Sequence, residues 1–249
     1  LCISSSHSSH KDNIFLYDDA LVDFVFDDKV ASVFTDMVNR SVPGYALIVR
    51  MICVLAEQYA SSNTKLYDLG CSLGAVTFLL QQLKLDNCGI VAVDNSSAMI
   101  KSCQESLAFN KSADLLPVEL RCEDIQNTEL SNASVVVLNF TLQFIAPEQR
   151  DKIIKKIYDA LVPGGILIIS EKIMFSDTEK NALYIELYHQ FKKANGYSDL
   201  EISRKRSALE NILIPETIEQ HNARVKAAGF SLFEPWFQCF NFASIFAVK

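Results

Sequence analysis

Short apolar runs alternate along the chain with segments in which apolar residues recur at helical spacing. Before the first run, positions 47, 48, 51, 52, 55 and 56 are apolar, which predicts an amphipathic helix. Apolar runs and helix-like segments then alternate, as is typical of a mostly parallel sheet with helices on both faces. The runs that predict strands are TKLYDLG, CGIVAVD, LPVELRCED, ASVVVLNF and GGILIISEK.

Two segments depart from this alternation. Residues 177–214 are helical and polar, which predicts a helical insertion over the carboxyl edge of the sheet. From residue 229, GFSLFEPWFQCFNFASIFAVK predicts two strands with a short connection and hence an antiparallel edge. The expected fold is therefore a doubly wound α/β domain over residues 27–249, with N-terminal helices before the sheet. Residues 1–26 are expected to form a partly disordered tail.

Composition and charge limit the classes of function. The 249 residues are 49% hydrophobic and 21% charged, as is ordinary for a soluble globular protein. A net charge of −7 argues against a broad nucleic-acid-binding surface. The seven cysteines form no CxxC pair and the four histidines lack ligand spacing, so reduced thiols in a cytoplasmic protein are expected rather than a metal or disulfide framework. The most apolar helical run is too short to span a bilayer and carries Arg50, so no membrane association is expected.

The first predicted strand ends in a glycine corner. Glycine is scarce, with eight in the chain, yet Gly70 and Gly74 flank this corner. Such glycines allow a tight turn and a close approach of the backbone to a ligand. Ser72 holds the middle position, so the corner is not the dinucleotide fingerprint, and an ordinary strand–helix corner is an equal alternative.

Polar side chains end the next three predicted strands, where open α/β sheets bind their ligands. Asp94 suits the two hydroxyls of a ribose; the alternative is a helix cap, which Ser96 already provides. Asp124 suits an exocyclic amine such as that of adenine, or equally a surface turn. Asn139 closes the fourth strand, at the expected crevice.

The order and spacing of these features resemble the class I S-adenosyl-L-methionine (SAM)-dependent methyltransferases. The resemblance rests on an Asp-x-Gly corner, an acid ending the second strand, Asp-Ile after the third, and Leu-x-Pro-Gly-Gly before the fifth. It implies a Rossmann-like sheet with the methionine part of SAM at the corner and the ribose on Asp94. Nicotinamide enzymes are the alternative for the corner, although they normally carry a denser glycine fingerprint.

Longer strings resemble a narrower group, the carboxy-S-adenosyl-L-methionine (carboxy-SAM) synthase family, from about Asp27 to the C-terminus. They are RSVPGY, YDLGCSLGA, VDNSSAMI, VVLNFTLQF, KANGYSDLEISRKRSALEN and WFQCFNF. This family has a methyltransferase fold but converts SAM and prephenate into carboxy-SAM and phenylpyruvate. A separate enzyme then uses carboxy-SAM to carboxymethylate the wobble uridine of tRNA. The resemblance therefore implies a transferase, acting as a homodimer, that serves tRNA modification without binding nucleic acid itself.

The resemblance also implies which residues of this chain contact the ligand. It places Arg206 on the added carboxylate, which a guanidinium binds bidentately. By spacing alone, Arg206 with Glu210 and Glu201 with Lys205 would be ordinary surface helix pairs. Tyr45 could equally be a core aromatic residue, and Cys71 is expected to contribute its backbone. The full set of implied SAM contacts is Tyr45, Gly70, Cys71, Ser72, Asp94, Asn95, Asp124, Ile125, Asn139 and Arg206.

The mechanism that the resemblance implies requires little acid–base catalysis by protein side chains. Prephenate loses CO2, a transient sulfonium ylide of SAM captures it, and a substrate-derived base removes the methyl proton. The protein then supplies positioning and electrostatics, so no catalytic residue, metal ligand or prephenate contact is predicted, and His189 and His221 are expected to be structural. Two alternatives are an ordinary SAM-dependent methyltransferase acting on a small molecule and a SAM-binding protein without turnover. The chain departs from the family pattern at Thr35 and Ala243, outside the implied contacts.

Overall fold

The computed structural model describes residues 11–17, 24–109, 112 and 114–249. Of the predicted N-terminal tail, residues 1–10 and 18–23 lie outside this description. The elements are α1 (Ile14–Tyr17), α2 (Asp28–Ser41), α3 (Tyr45–Tyr59), β1 (Lys65–Leu69), α4 (Ala75–Leu80), β2 (Gly89–Asp94), α5 (Ser97–Phe109), β3 (Val118–Cys122), β4 (Ala133–Asn139), a 3-10 turn (Leu142–Phe144), α6 (Pro147–Ala160), β5 (Leu161–Lys172), α7 (Thr178–Ala194), α8 (Asp199–Leu209), α9 (Ile218–Ala228), β6 (Leu232–Cys239) and β7 (Phe242–Val248).

Among the described residues, seven strands form one sheet in the order β3-β2-β1-β4-β5-β7-β6. The first five strands of the chain are parallel, whereas β7 runs antiparallel to β5 and β6 antiparallel to β7. The prediction of a doubly wound sheet with an antiparallel edge is therefore confirmed. The strand order reverses between β1 and β4, so a crevice opens beyond their carboxyl ends.

The central strand β4 supplies both cores, one on each face of the sheet. Val136 and Leu138 pack with residues of α6 and α9, while Val135 and Val137 pack with residues of α3 and α4. All four are fully buried. Burial on both faces explains why β4 is a continuous apolar run rather than an alternating one.

The segment predicted as a helical insertion contains α7 and α8. A capping box of Ser198 and Glu201 begins α8, which packs against α1. The Tyr197 hydroxyl, just before α8, donates to Asp12 Oδ2 at 2.5 Å, and Lys205 Nζ donates to Ser41 Oγ at 2.9 Å. Residues 11–17 of the predicted tail therefore pack onto the insertion.

No single helix in the described part of the chain is both long and apolar enough to cross a membrane. The helices α2 and α3 satisfy the length and composition requirements only as a pair, and a bend of 93° separates them.

Candidate functional site

The glycine corner between β1 and α4 is held by close packing against neighbouring side chains. Gly70 has φ +83°, and a Cβ atom there would lie 2.3 Å from Thr141 Oγ1. Gly74 has φ +84°, and its Cβ atom would lie 2.6 Å from Cys103 Sγ. Both positions therefore require glycine for backbone conformation and for space. Between them, Ser72 adopts φ +49°, a region that residues with side chains rarely occupy.

Asp94, at the end of β2, fastens this corner to the neighbouring strand. Its Oδ2 accepts a hydrogen bond from Ser72 N and its Oδ1 accepts one from Ser96 N, each at 2.9 Å. Burial raises the pKa of Asp94, and the two backbone hydrogen bonds partly offset that effect. Ser96 Oγ accepts from Met99 N, which gives α5 the cap that the sequence predicted. Each Asp94 oxygen has a second lone pair, so the carboxylate can still accept from ribose hydroxyls.

Asn95 and Asp124 meet beyond the ends of β2 and β3. Asn95 Nδ2 donates to Asp124 Oδ1 at 2.8 Å, and both side chains are exposed. Ile125, the next residue, is 6% exposed and belongs to the core. This end of the crevice therefore presents a hydrogen-bonding edge beside an apolar surface, which suits an adenine ring.

Two buried oxygen atoms on β1 and β4 have no hydrogen-bond partner among the described residues: Asp68 Oδ1 and Asn139 Oδ1. The other oxygen of Asp68 accepts from Thr77 N at 3.0 Å and Thr77 Oγ1 at 2.6 Å. Burial raises the pKa of Asp68 to about 6. An unpartnered buried acceptor is costly, and the ammonium group of SAM carries three donors that would satisfy it. The residues present therefore fit SAM.

Sequence reasoning did not nominate Asp68 as a ligand contact. The available signal was an acidic residue inside an otherwise apolar strand, two positions before Gly70. Its significance depends on the buried, unpartnered oxygen, which only the folded chain reveals.

A row of aromatic rings leads from the corner toward the end of β5. Tyr45 lies 6.2 Å from Phe140, Phe140 lies 6.2 Å from Phe242, and Phe242 lies 5.0 Å from Tyr188, measured between ring centroids. Burial and the nearby charge of Asp68 raise the pKa of Tyr45. Tyr45 therefore lies beside the crevice, packed on the residue that follows Asn139.

The Cys71 thiol is not a reactive group in this corner. It is buried, and a hydrogen bond with Cys103, together with that burial, raises the pKa of Cys71. The thiol therefore stays protonated, and the backbone of Cys71 is what it can offer a ligand.

The surface helix pairs suggested by spacing on α8 are wrong. Glu201 accepts instead from Ser198 N at 2.8 Å, and Lys205 is buried against Ser41. Within the described part of the chain, the exposed Arg206 forms no ion pair with Glu210 or with any other acid. Burial lowers the pKa of Lys172, at the end of β5, and the charge of Arg206 adds to that effect.

The described residues contain no group of three or more His, Cys, Asp or Glu side chains that could hold a metal ion. The two histidines of the last third of the chain differ in setting. His221 is buried, and burial lowers its pKa to about 4, whereas His189 is half-buried on α7.

Comparison with known proteins places this chain in a family. A sequence profile described as a methyltransferase domain matches residues 67–167. The structure of human N-acetylserotonin methyltransferase in complex with SAM has the same fold, with a TM-score of 0.61 and 16% identity, covering 89% of this chain and 55% of that one.

Two relatives are similar over almost their whole length. The carboxy-S-adenosyl-L-methionine synthase of Trichlorobacter lovleyi is 56% identical over 230 residues, which cover 92% of this chain and 94% of that protein. The synthase of Shewanella halifaxensis is 51% identical over 244 residues, covering 97% of this chain and 100% of that protein. With its class I methyltransferase sheet and this near full-length identity, the chain belongs to the carboxy-S-adenosyl-L-methionine synthase family.

Proposed function

We propose that the protein synthesises carboxy-SAM from SAM and prephenate and releases phenylpyruvate. The observation that carries this proposal is Arg206, an exposed cation on α8 that has no acidic partner in the described part of the chain and whose charge reaches Lys172 at the end of β5. A methyl group transferred from SAM needs no cation beside it. A carboxylate added to that methyl group does, and arginine binds a carboxylate through two parallel hydrogen bonds.

The chemistry of this reaction balances without an external oxidant or reductant. The bond between the prephenate ring and its carboxylate breaks, and the electron pair expels the ring hydroxide, which leaves aromatic phenylpyruvate and CO2. The SAM methyl group loses a proton, and the resulting ylide carbon attacks CO2. The proton and the hydroxide form water. The protein's part is to hold both substrates together and to exclude solvent from the ylide.

The proposal extends to the cellular role. Carboxy-SAM would serve a separate enzyme that carboxymethylates wobble uridine in tRNA, and the net charge of −7 supports a protein that does not itself bind tRNA. A homodimer in the cytoplasm is part of the same proposal. The free thiols of the described cysteines support a reducing compartment.

Mass spectrometry of a reaction with SAM and prephenate tests the proposed function. Prephenate labelled with a heavy carbon isotope in its ring carboxylate should yield a product heavier than SAM by one labelled CO2, together with unlabelled phenylpyruvate. Methyl transfer to an added acceptor without any carboxylated product would instead identify an ordinary methyltransferase. Binding of SAM with both substrates unchanged would identify a protein without turnover.

A further inference from the structure

Two lysine side chains converge on one tyrosine ring at the end of the aromatic row. Lys192 Nζ, on α7, lies 4.4 Å from the centroid of the Tyr188 ring, and Lys172 Nζ, at the end of β5, lies 5.2 Å from it. Tyr188 is 8% exposed and Lys192 is 5% exposed, while Lys172 is half-buried. An ammonium group over an aromatic face gains a modest stabilisation, which is small beside the cost of burying its charge.

These lysines lack the acidic partners that buried cations normally have. Among the described residues, no carboxylate lies within ion-pair distance of either ammonium group. The carboxylate next to Lys172 in sequence, Glu171, is occupied elsewhere, because it accepts from Leu142 N at 2.8 Å and from Gln143 N at 3.0 Å. Successive residues of a strand point to opposite faces, which keeps Glu171 away from the lysines.

Further positive charge surrounds the pair. The charges of Lys205 and Lys172 both lower the pKa of Lys192, and the charge of Arg206 lowers that of Lys172. Burial is the larger cause in each case. Lys172 and Lys192, which have no acidic partner among the described residues, lower the stability of the fold, and this is typical of a site built to receive an anion.

The position of the pair relates it to the SAM crevice. Asn139 of β4 lies opposite Ser170 of β5, so Lys172 is two residues further along the same edge. The aromatic row joins the two regions through packed rings. An anion bound between Lys172 and Lys192 would therefore lie on the β5 side of the crevice.

From this geometry we infer that Lys172 and Lys192 bind the carboxylate that prephenate keeps, the one on its pyruvyl side chain, with Tyr188 beneath both ammonium groups. The inference rests on the proposed function. The ring carboxylate is a poor match for this site, because cations that stabilise a carboxylate oppose its loss as neutral CO2. The retained carboxylate is charged before and after the reaction, so two lysines can bind it throughout.

Steady-state kinetics of Lys172→Met and Lys192→Met tests the assignment, with Lys193→Met as the matched control. Lys193 is the next residue on α7 but is exposed and paired with Asp199 at 2.6 Å. We expect each test variant to raise the KM for prephenate about tenfold or more, as befits loss of a charge-assisted hydrogen bond. The inhibition constant of phenylpyruvate, which carries only the retained carboxylate, should rise by a similar factor. The affinity for SAM should stay within about twofold, as should every constant of the control.

The outcomes separate the two hypotheses. If the wild-type protein forms no carboxy-SAM from SAM and prephenate, both the proposed function and the assignment of the lysines are wrong. If the wild type is active but both lysine variants keep their KM for prephenate and their inhibition by phenylpyruvate, only the assignment is wrong. A rise in the KM for prephenate with unchanged inhibition by phenylpyruvate would overturn the choice of carboxylate. Lys192→Gln provides the same test if Lys192→Met does not fold, as judged by its thermal unfolding.

Discussion

At the scale of the residue, the two carboxylate oxygens of Asp68 lie in different settings. One of its oxygens is fully engaged by Thr77, whereas the other is buried without a partner in the described part of the chain. A residue that served packing alone would have no reason to retain this arrangement, since an unsatisfied buried acceptor lowers the free energy of unfolding. Its pKa of about 6, well above that of an ordinary aspartate, reflects the same burial.

Asp68→Asn is expected to stabilise the ligand-free protein while weakening its affinity for SAM. The pKa of Asp68 is higher in the folded protein than in the unfolded chain, so this group favours folding at low pH and loses that contribution as the pH rises through about 6. The difference corresponds to roughly 3 kcal/mol of unfolding free energy. Thermal unfolding across this range should show a flatter pH dependence in the variant.

Calorimetric titration with SAM tests the predicted loss of SAM affinity in Asp68→Asn. The neutral amide loses the charge that attracts the ligand ammonium, so the dissociation constant should rise about tenfold. Asp86→Asn, which changes a residue outside the crevice before β2, is the control. Unchanged SAM affinity in Asp68→Asn would show that the unpartnered oxygen does not face the ligand.

Arg206→Ala is expected to weaken the binding of carboxy-SAM and to spare that of SAM. The two ligands differ by one carboxylate, and loss of its guanidinium partner should raise the dissociation constant for carboxy-SAM about tenfold or more. Competition binding with both ligands measures the ratio. Arg50→Ala, at an exposed position of α3, should leave the ratio unchanged. Equal losses of both affinities in Arg206→Ala would remove the role assigned to this arginine.

At the scale of the element, the corner between β1 and α4 is a turn whose shape is imposed by its surroundings. Gly70 and Gly164 both have positive φ angles, +83° and +77°, but their environments differ. Gly164 has no atom within 4 Å of the position of a Cβ atom, whereas Gly70 would meet Thr141. Substituting each of these two glycines therefore separates the free-energy cost of a left-handed backbone conformation from the cost of a steric clash with Thr141.

Gly164→Ala is expected to lower the unfolding free energy by about 1 kcal/mol, because only the left-handed conformation opposes it. Gly70→Ala should cost on the order of 3 kcal/mol, because Thr141 or the corner must also move. Chemical denaturation measures both values, and calorimetry with SAM should show weaker binding only for Gly70→Ala. Equal losses of unfolding free energy in the two variants would mean that the Thr141 side chain moves aside without a free-energy cost.

At the scale of the whole molecule, the insertion brings positive charge to the β5 side of the sheet. Helices α7 and α8 contribute Lys192 and Arg206, β5 contributes Lys172, and α8 is fastened to α2 through Lys205 and Ser41. The positive charge of this region is therefore assembled from elements that are distant in sequence. Its energetic cost should be visible in the stability of the ligand-free protein.

Lys192→Met is expected to raise the melting temperature of the ligand-free protein at neutral pH. The pKa of Lys192 is about 7 in the fold, below the ordinary value of 10.5, because of burial and the neighbouring Lys205 and Lys172. The unfolded chain therefore binds more protons, so the lysine destabilises the fold most below about pH 7 and less as the pH rises. A gain of about 1 kcal/mol corresponds to roughly 2–4 °C for a domain of this size. A lower melting temperature would assign Lys192 a structural role.

The same charges predict how activity depends on pH. Lys192 and Lys172, with pKa values of about 7 and about 8, bind an anion only when protonated. We therefore expect kcat/KM for prephenate to fall as the pH rises above this range, while the dissociation constant for SAM changes less. In Lys172→Met, kcat/KM for prephenate should fall less steeply with pH, because the deprotonation of Lys172 no longer contributes to the decline. A profile that rises through this range would contradict a role for protonated lysines.

The sequence by itself determined the alternation of strands and helices, the antiparallel edge, the glycine corner and the family. These features follow from local rules: a strand buried on both faces must be apolar along its length, and a tight left-handed turn favours glycine. The strings around Tyr45, Asp94, Asn139 and Arg206 identified the family because each lies within a short segment. Their contacts with SAM remain predictions.

Only the tertiary structure decided which polar groups lack partners. Helical spacing paired Glu201 with Lys205, but Lys205 meets Ser41, 164 residues away in the sequence. Similarly, Lys172 and Lys192 have no carboxylate within ion-pair distance among the described residues, and the sequence around them does not reveal this. Burial and charge compensation depend on segments that are brought together by folding, so the cost of an uncompensated charge, and the ligand it implies, can be read only from the folded chain.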